Sequence, residues 1–134
     1  MTRFLLATDS VHTSAAACDY LQERAGPADE VVVVAVRERE SERDTRDAGS
    51  ERDTAGDAAD AANVVSVRLV EPDVETVERE GDPVVEILAC GEENGADELL
   101  LGPHGDPPGT ERLGGTAQRL IARADLPVVV VPLA

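Results

Sequence analysis

Residues 98–124 have the sequence ELLLGPHGDPPGTERLGGTAQRLIARA, in which an apolar run, a glycine-rich stretch and a helical pattern follow one another. The apolar run predicts a buried strand at Glu98–Leu101, and the later spacing predicts a helix over Gly114–Ala124. Leu120 and Ile121 are expected on the apolar face of that helix. In the loop between them, glycines let the backbone approach an anion, and the helix start offers free N–H groups with a positive dipole end. The segment therefore predicts a phosphate-binding site.

The rest of the chain alternates apolar runs with helical spacing. Strands are predicted at Arg3–Thr8, Glu30–Val36, Val74–Arg79 and Pro127–Val131, and helices at Thr13–Arg24, Arg52–Val70 and from Asp82-Pro83 to near Asn94. Strands that alternate with helices indicate a parallel sheet with helices on both faces. Right-handed crossovers then give a doubly wound α/β fold. We expect one domain over residues 1–134, a three-layer fold with a five-stranded parallel sheet and about four helices.

The stretch between the second and third strands leaves an alternative open. Arg37–Asp57 is charged, contains glycine and has few apolar residues, so it is interpreted as an exposed loop. Pro72 supplies a stop for the helix that follows, whose apolar residues recur at helical intervals at Ala58, Ala62, Val65 and Leu69. The β-branched valines of the same stretch favour a strand over Val64–Val70 instead. The helix is the preferred interpretation.

The composition is acidic and poor in aromatic residues. The 134 residues carry 28 acidic against 12 basic side chains, a formal charge of −16, and include no lysine. A DNA or RNA backbone would be repelled, and Phe4 and Tyr20 are too few for base stacking, so nucleic-acid binding is not expected. At molar salt the Debye length is about 3 Å, which screens repulsion among surface carboxylates. The charge therefore favours a halophilic source, and we expect a halophilic archaeon.

Neither the cysteines nor the apolar runs indicate a metal site, a disulfide or a membrane segment. Cys18 and Cys90 lack metal-binding spacing and are interpreted as small buried apolar groups. The run Phe4–Ala7 is too short for a signal peptide or a membrane span. His12 and His104 are more typical of structural or exposed histidines than of ligands, and His104, inside the glycine-rich loop, is the better candidate to line a pocket. We expect a soluble, cytoplasmic protein without a membrane partner.

The glycines of the loop follow the pattern Gly-x2-Gly-x9-Gly-Ser/Thr, after a strand and before a helix. This pattern resembles the ATP-binding motif of the universal stress proteins, with matches at Gly102, Gly105, Gly115 and Thr116. Four further stretches are similar to that family in the expected order, at Leu5–Asp9, Glu80–Pro83, Asn94–Asp97 and Leu126–Val131. The resemblance covers nearly the whole chain and implies the adenine nucleotide alpha hydrolase-like fold.

The resemblance also implies a site and a function. Asp9 would lie beside the adenosine and Val36 would contact adenine through its backbone, while the matched glycines and Thr116 would hold ribose and phosphates. The ligand would be ATP, often with Mg²⁺ or Mn²⁺, and the protein would form a homodimer through Val128–Val131. We expect a stress-response regulatory or protective module with at most slow ATP hydrolysis. The alternatives are a nucleotide-free dimer that acts through protein contacts and, disfavoured by the absence of lysine, a nucleotidyl transferase.

Two residues depart from the family's pattern. Pro103 replaces a usual Ser or Thr and has no N–H to donate. Asp106-Pro107-Pro108 replaces a stretch that is often basic, and Asp106 would repel a triphosphate unless Mg²⁺ lies between them. Arg112 or Arg119 would offset that charge. Binding of an ATP-type nucleotide is the preferred interpretation, and its alternative is that the glycines serve only a tight strand-to-helix connection.

Overall fold

The computed structural model describes residues 1–37, 60–70, 72–103 and 113–132. The strands are β1 (Arg3–Ala7), β2 (Glu30–Arg37), β3 (Asp73–Glu80), β4 (Glu98–Leu101) and β5 (Val128–Val130). The helices are α1 (Val11–Arg24), α2 (described at 60–68), α3 (Pro83–Asn94) and α4 (Gly115–Arg123). Strands and helices alternate along the chain as the sequence predicts.

All five strands run parallel in one sheet, in the order β3-β2-β1-β4-β5. Leu5 of the central strand β1 stands beside Val32 of β2 on one side and Leu99 of β4 on the other. The chain passes from β1 outward to β2, and from β4 outward to β5 in the opposite direction. The predicted doubly wound α/β fold is confirmed, and its strand order reverses between β1 and β4.

Apolar side chains on the two faces of the sheet form two separate cores. Because successive strand residues point to opposite faces, Phe4 and Leu6 pack toward α1 and α2, whereas Leu5 and Ala7 pack toward α3 and α4. The first core also includes Ala17, Cys18, Leu21, Val33, Val65 and Leu100, and the second includes Val34, Val84, Ile87, Cys90, Leu101 and Leu120. The predicted three layers are confirmed, and both cysteines are buried and free as expected.

Local sequence signals explain where the helices begin and end. The Ser10 side chain accepts a hydrogen bond from the backbone N–H of Thr13 and so caps α1. Asp82 caps α3, and Pro83 opens it, as the sequence predicts. Gly95 ends α3 at φ 63°, a left-handed conformation that glycine adopts without strain.

The structure corrects two details of the prediction. Arg37, expected to begin a loop, is the last residue of β2, and its side chain forms an ion pair at 3.3 Å with Glu80 of β3. Ile121, expected on the apolar face of α4, is 43% exposed. The helix turns Ala117 and Leu120 toward the sheet instead, and Ile121 lies about 100° further around the helix axis than Leu120.

The segment before β3 is helical, so the helix and not the alternative strand is confirmed for residues 60–68. Val65 and Leu69 are buried against the sheet there. The earlier part of the predicted helix, 52–59, and the predicted loop from 38 to 57 lie outside the described residues. In the described ranges, no helix is long and apolar enough to cross a membrane.

Candidate functional site

The candidate site lies at the carboxyl edge of the sheet, between the ends of β1 and β4. After β1 the chain turns through Thr8–Ser10 into α1 on one face, and after β4 it leaves through Gly102-Pro103 toward α4 on the other. The two connections therefore diverge and leave a crevice at the point where the strand order reverses. In open α/β sheets, ligands bind in this crevice.

Gly102 is the residue where β4 meets the start of α1. A Cβ atom at this position would lie 2.8 Å from Oγ1 and 3.2 Å from Cγ2 of Thr13. Thr13 is 1% exposed, so its side chain cannot simply turn out into solvent to make room. The absence of a side chain at Gly102 is thus explained by packing alone, which supports the purely structural interpretation for this one glycine.

Gly115, at the start of α4, has a different environment. A Cβ atom added there would meet no heavy atom within 4 Å in the described part of the chain, and the residue is exposed. The N-cap of α4 is Gly114, which has no side chain to cap the helix, whereas Ser10 and Asp82 cap α1 and α3. Packing in the described structure therefore does not require a glycine at 115, and none of the described residues fills the space around its Cβ position.

A backbone hydrogen bond ties the two ends of the glycine-rich loop together. The N–H of Gly114 donates to the carbonyl oxygen of Pro103 at 2.7 Å. The side-chain amide of Gln118 donates to the carbonyl oxygen of Leu113, also at 2.7 Å. Gly102 and the Gly115-Thr116 pair thus stand at the same edge of the sheet, as predicted. His104, Gly105, Asp106 and Arg112 lie outside the described residues.

Three hydroxyl side chains are buried beneath this edge, and sequence reasoning missed them. Thr8, Thr13 and Ser14 are the buried polar residues of the described ranges. Thr8 Oγ1 lies 2.8 Å from Ser14 Oγ and donates to the carbonyl oxygen of Ser10 at 3.0 Å, and Ser10 Oγ donates to Thr13 Oγ1 at 3.2 Å. The signal was the hydroxyl-rich sequence TDSVHTS at 8–14. These bonds hold the turn that carries Asp9.

The remaining predicted site residues also stand at the carboxyl edge. Asp9 is exposed directly after β1, and His12 is exposed in the first turn of α1. Val36 is half-buried near the end of β2, on the face that packs against α3 and α4. Thr116 is exposed in the first turn of α4. The topology thus places Asp9, Val36, Gly102, Gly115 and Thr116 at one edge of the sheet.

Ion pairs join side chains of β3, α3 and α4 on one face of the sheet. Arg119 of α4 lies 3.7 Å from Asp82, and the pKa of Asp82 is lowered, chiefly by the hydrogen bond from the backbone N–H of Val85. Arg79 of β3 bridges two carboxylates of α3, Glu86 at 3.5 Å and Glu93 at 2.5 Å. Across the described ranges, no group of three or more His, Cys, Asp or Glu side chains is placed to hold a metal ion.

A comparison with protein families gives the same assignment as the glycine pattern and the topology. The family model described as the universal stress protein family matches residues 1–132. The chain belongs to the universal stress protein family. The resemblance drawn from the glycine motif is therefore confirmed. Among curated protein sequences, no match to this universal stress protein is found.

Solved structures share the fold at low sequence identity. The universal stress protein UspA of Lactobacillus plantarum is 19% identical, with a TM-score of 0.70 and 97% of each chain covered. A universal stress protein of Archaeoglobus fulgidus in complex with dAMP is 18% identical, with a TM-score of 0.60 and 98% of each chain covered. An Arabidopsis thaliana member of the family with AMP bound is 14% identical, with a TM-score of 0.66, and the match covers 100% of this chain and 93% of that one. These similarities show the adenine nucleotide alpha hydrolase-like fold.

Proposed function

We propose that this universal stress protein binds ATP or a related adenine nucleotide in the crevice between β1 and β4. The observation that carries the proposal is the start of α4, where Gly114 supplies no side-chain cap and no described residue lies within 4 Å of the Cβ position of Gly115. A hydrogen bond ties this helix start to the end of β4. Helix starts with free N–H groups favour phosphate. Structural neighbours in complex with dAMP, AMP and cAMP add support, since they have the same fold.

The predicted site residues take separate roles in this proposal. The N–H groups of Gly115 and Thr116 and the Thr116 hydroxyl donate to phosphate oxygens. Gly102 shapes the crevice, and Gly105 and His104 line it from the loop. Asp9 accepts from the ribose and the backbone of Val36 contacts adenine.

A divalent cation, Mg²⁺ or Mn²⁺, accompanies the triphosphate in this proposal. Because the described residues form no metal-binding group of their own, the phosphate oxygens would supply most of its ligands. The cation would neutralise negative charge of the triphosphate, which this acidic chain does not balance by itself. We assign no rapid catalysis to the site, and at most slow ATP hydrolysis.

The biological setting is part of the same proposal. We propose that residues 1–134 form one domain and act in the cytoplasm of a halophilic archaeon as a homodimeric stress-response module. The edge strand β5 supports the dimer, because Val128, Val129 and Val130 are only half-buried and β5 ends the described sheet. Light scattering in molar KCl tests it, and a strict monomer there would contradict the interface. A nucleotide-free dimer that acts through protein contacts is the alternative.

Nucleotide binding is tested on the purified protein. We expect acid extraction of protein purified in high salt to release an adenine nucleotide, and Mg-ATP to bind on titration. Gly115→Val should abolish binding, because its side chain fills the approach to the helix start. Gly26→Val is the matched control, since Gly26 also has open space around its Cβ position but lies between α1 and β2, at the opposite end of the sheet. No binding by the wild type, or equal binding by Gly115→Val, would contradict the proposal.

A further inference from the structure

An exposed ion pair joins the starts of α3 and α4 beside the proposed phosphate site. Arg119 Nη2 lies 3.7 Å from Asp82 Oδ2, and the two side chains are 54% and 45% exposed. Exposed pairs of this kind contribute little to stability because water and salt screen them. Arg119 can therefore readily leave Asp82 for an anion that binds it more strongly.

The two oxygens of Asp82 have different partners. Oδ1 accepts hydrogen bonds from the backbone N–H groups of Val84 at 2.9 Å and Val85 at 3.2 Å. These bonds cap α3 and fix the carboxylate, so that Oδ2 faces Arg119. Asp82 is thus held in place by its own helix, whereas Arg119 is the long, flexible member of the pair.

Arg119 is well placed to reach the start of its own helix. It follows Gly115 by four residues and so lies on the same side of α4, one turn later, and side chains on a helix tilt toward its N-terminus. The other described arginines at the carboxyl ends of strands are committed elsewhere: Arg37 pairs with Glu80, and Arg79 with two carboxylates of α3. A phosphate at Gly115 would offer Arg119 a bidentate partner that a single carboxylate oxygen does not match.

We propose that Arg119 is a phosphate-binding residue of the nucleotide site, and that Asp82 competes with the nucleotide phosphate for it. This inference rests on the proposed function and deepens it. Arg119 supplies affinity only for ligands with a phosphate, and Asp82 lowers that affinity. The pair thereby sets how strongly the site distinguishes a nucleotide from its nucleoside.

Equilibrium titration in molar KCl with AMP, and with adenosine as a competitor, tests the pair. Arg119→Gln should weaken AMP binding about tenfold, the value of one charge-assisted hydrogen bond, and leave adenosine unchanged. Asp82→Asn keeps a good N-cap residue, removes the competing charge and should tighten AMP binding by about two- to fivefold. Arg123→Gln, at the far end of α4, is the matched control and should change neither ligand.

The double variant separates a direct exchange from a general effect of charge. If Asp82 acts through Arg119, Asp82→Asn tightens AMP binding in the wild type and not in Arg119→Gln. The inference alone is overturned if Arg119→Gln binds AMP like the wild type, if it loses adenosine equally, or if the gain from Asp82→Asn persists without Arg119. If wild type binds no ATP, AMP or adenosine at all, the proposed function is overturned and this inference with it.

Discussion

Gly102 at the end of β4 lies so close to Thr13 at the start of α1 that no side chain fits between them. A Cβ atom on Gly102 would lie 2.8 Å from Thr13 Oγ1, a distance that real Cβ atoms essentially never show. The backbone of Gly102 is not in the left-handed region. Contact with Thr13, and not backbone conformation, is therefore what excludes a side chain at this position.

We expect Gly102→Ala to lower the free energy of unfolding by about 1–3 kcal/mol, the usual range for an overpacked core position. Urea unfolding in molar KCl measures it. Gly115→Ala, where the added methyl group meets none of the described residues, should change that free energy by no more than about 0.5 kcal/mol.

A second substitution, at Thr13, tests whether contact with this residue is what destabilises Gly102→Ala. Thr13→Ala removes the two nearest atoms, Oγ1 and Cγ2, and leaves only Cβ at an ordinary 3.5 Å, so the Gly102→Ala/Thr13→Ala double variant should be more stable than the sum of the single effects predicts. Strict additivity of the two substitutions would show that the contact is not responsible.

The fold was predictable because its signals are local. Glu98–Leu101 was placed correctly because a strand buried on both faces is a continuous apolar run. Asp82-Pro83 and Gly95 marked the two ends of α3 because caps have strong residue preferences. Ile121 was misplaced because apolar spacing alone does not show how wide a strip of a nine-residue helix the sheet covers.

The candidate site was predictable in its position and less so in its contacts. Glycine spacing indicated the loop, and topology brought its ends to the edge beside Asp9. The contact between Gly102 and Thr13 and the pair of Asp82 with Arg119 join residues far apart in sequence, so no local pattern reveals them. Gly102 and Gly115 differ in whether a described residue lies close to their Cβ positions, and the sequence alone does not show this difference.

Asp29 links the pH of the solution to stability. Its carboxylate accepts backbone hydrogen bonds from Gly26 at 2.9 Å and Thr2 at 2.7 Å, and these bonds, the one from Gly26 first, lower its pKa from the ordinary 3.8. A lowered pKa in the folded state means that Asp29 stabilises the fold above pH 3.8. This contribution is lost as the pH falls from there through the lowered value.

Asp29→Asn should therefore melt at a lower temperature than wild type near neutral pH, and the difference should shrink below pH 3.8. Melting curves at a series of pH values in molar KCl measure it. Asp60→Asn, at an exposed position of α2, serves as the control and should track the wild type. A difference for Asp29→Asn that is constant with pH would mean that the charge of Asp29 is not involved.

The excess of acidic side chains predicts that the melting temperature depends on salt. With a formal charge of −16, repulsion among carboxylates destabilises the compact state in dilute buffer, and at about 1 M salt the Debye length falls to about 3 Å. We therefore expect the melting temperature to rise steadily from dilute buffer to molar KCl. A melting temperature that does not rise would contradict the proposed adaptation to high salt.

The edge strand β3 allows this salt effect to be traced to particular charges. Glu75 and Glu78 are exposed on it, three residues apart, and Glu80 follows at its end. Replacing Glu75 and Glu78 by glutamine removes charge while keeping side-chain size, so it should raise the melting temperature in dilute buffer and leave it nearly unchanged in molar KCl. Arg123→Gln makes the net charge more negative and should do the opposite in dilute buffer. If both changes shift the melting temperature equally at low and high salt, charge repulsion does not explain the salt dependence. Hydration or local structure would then explain it.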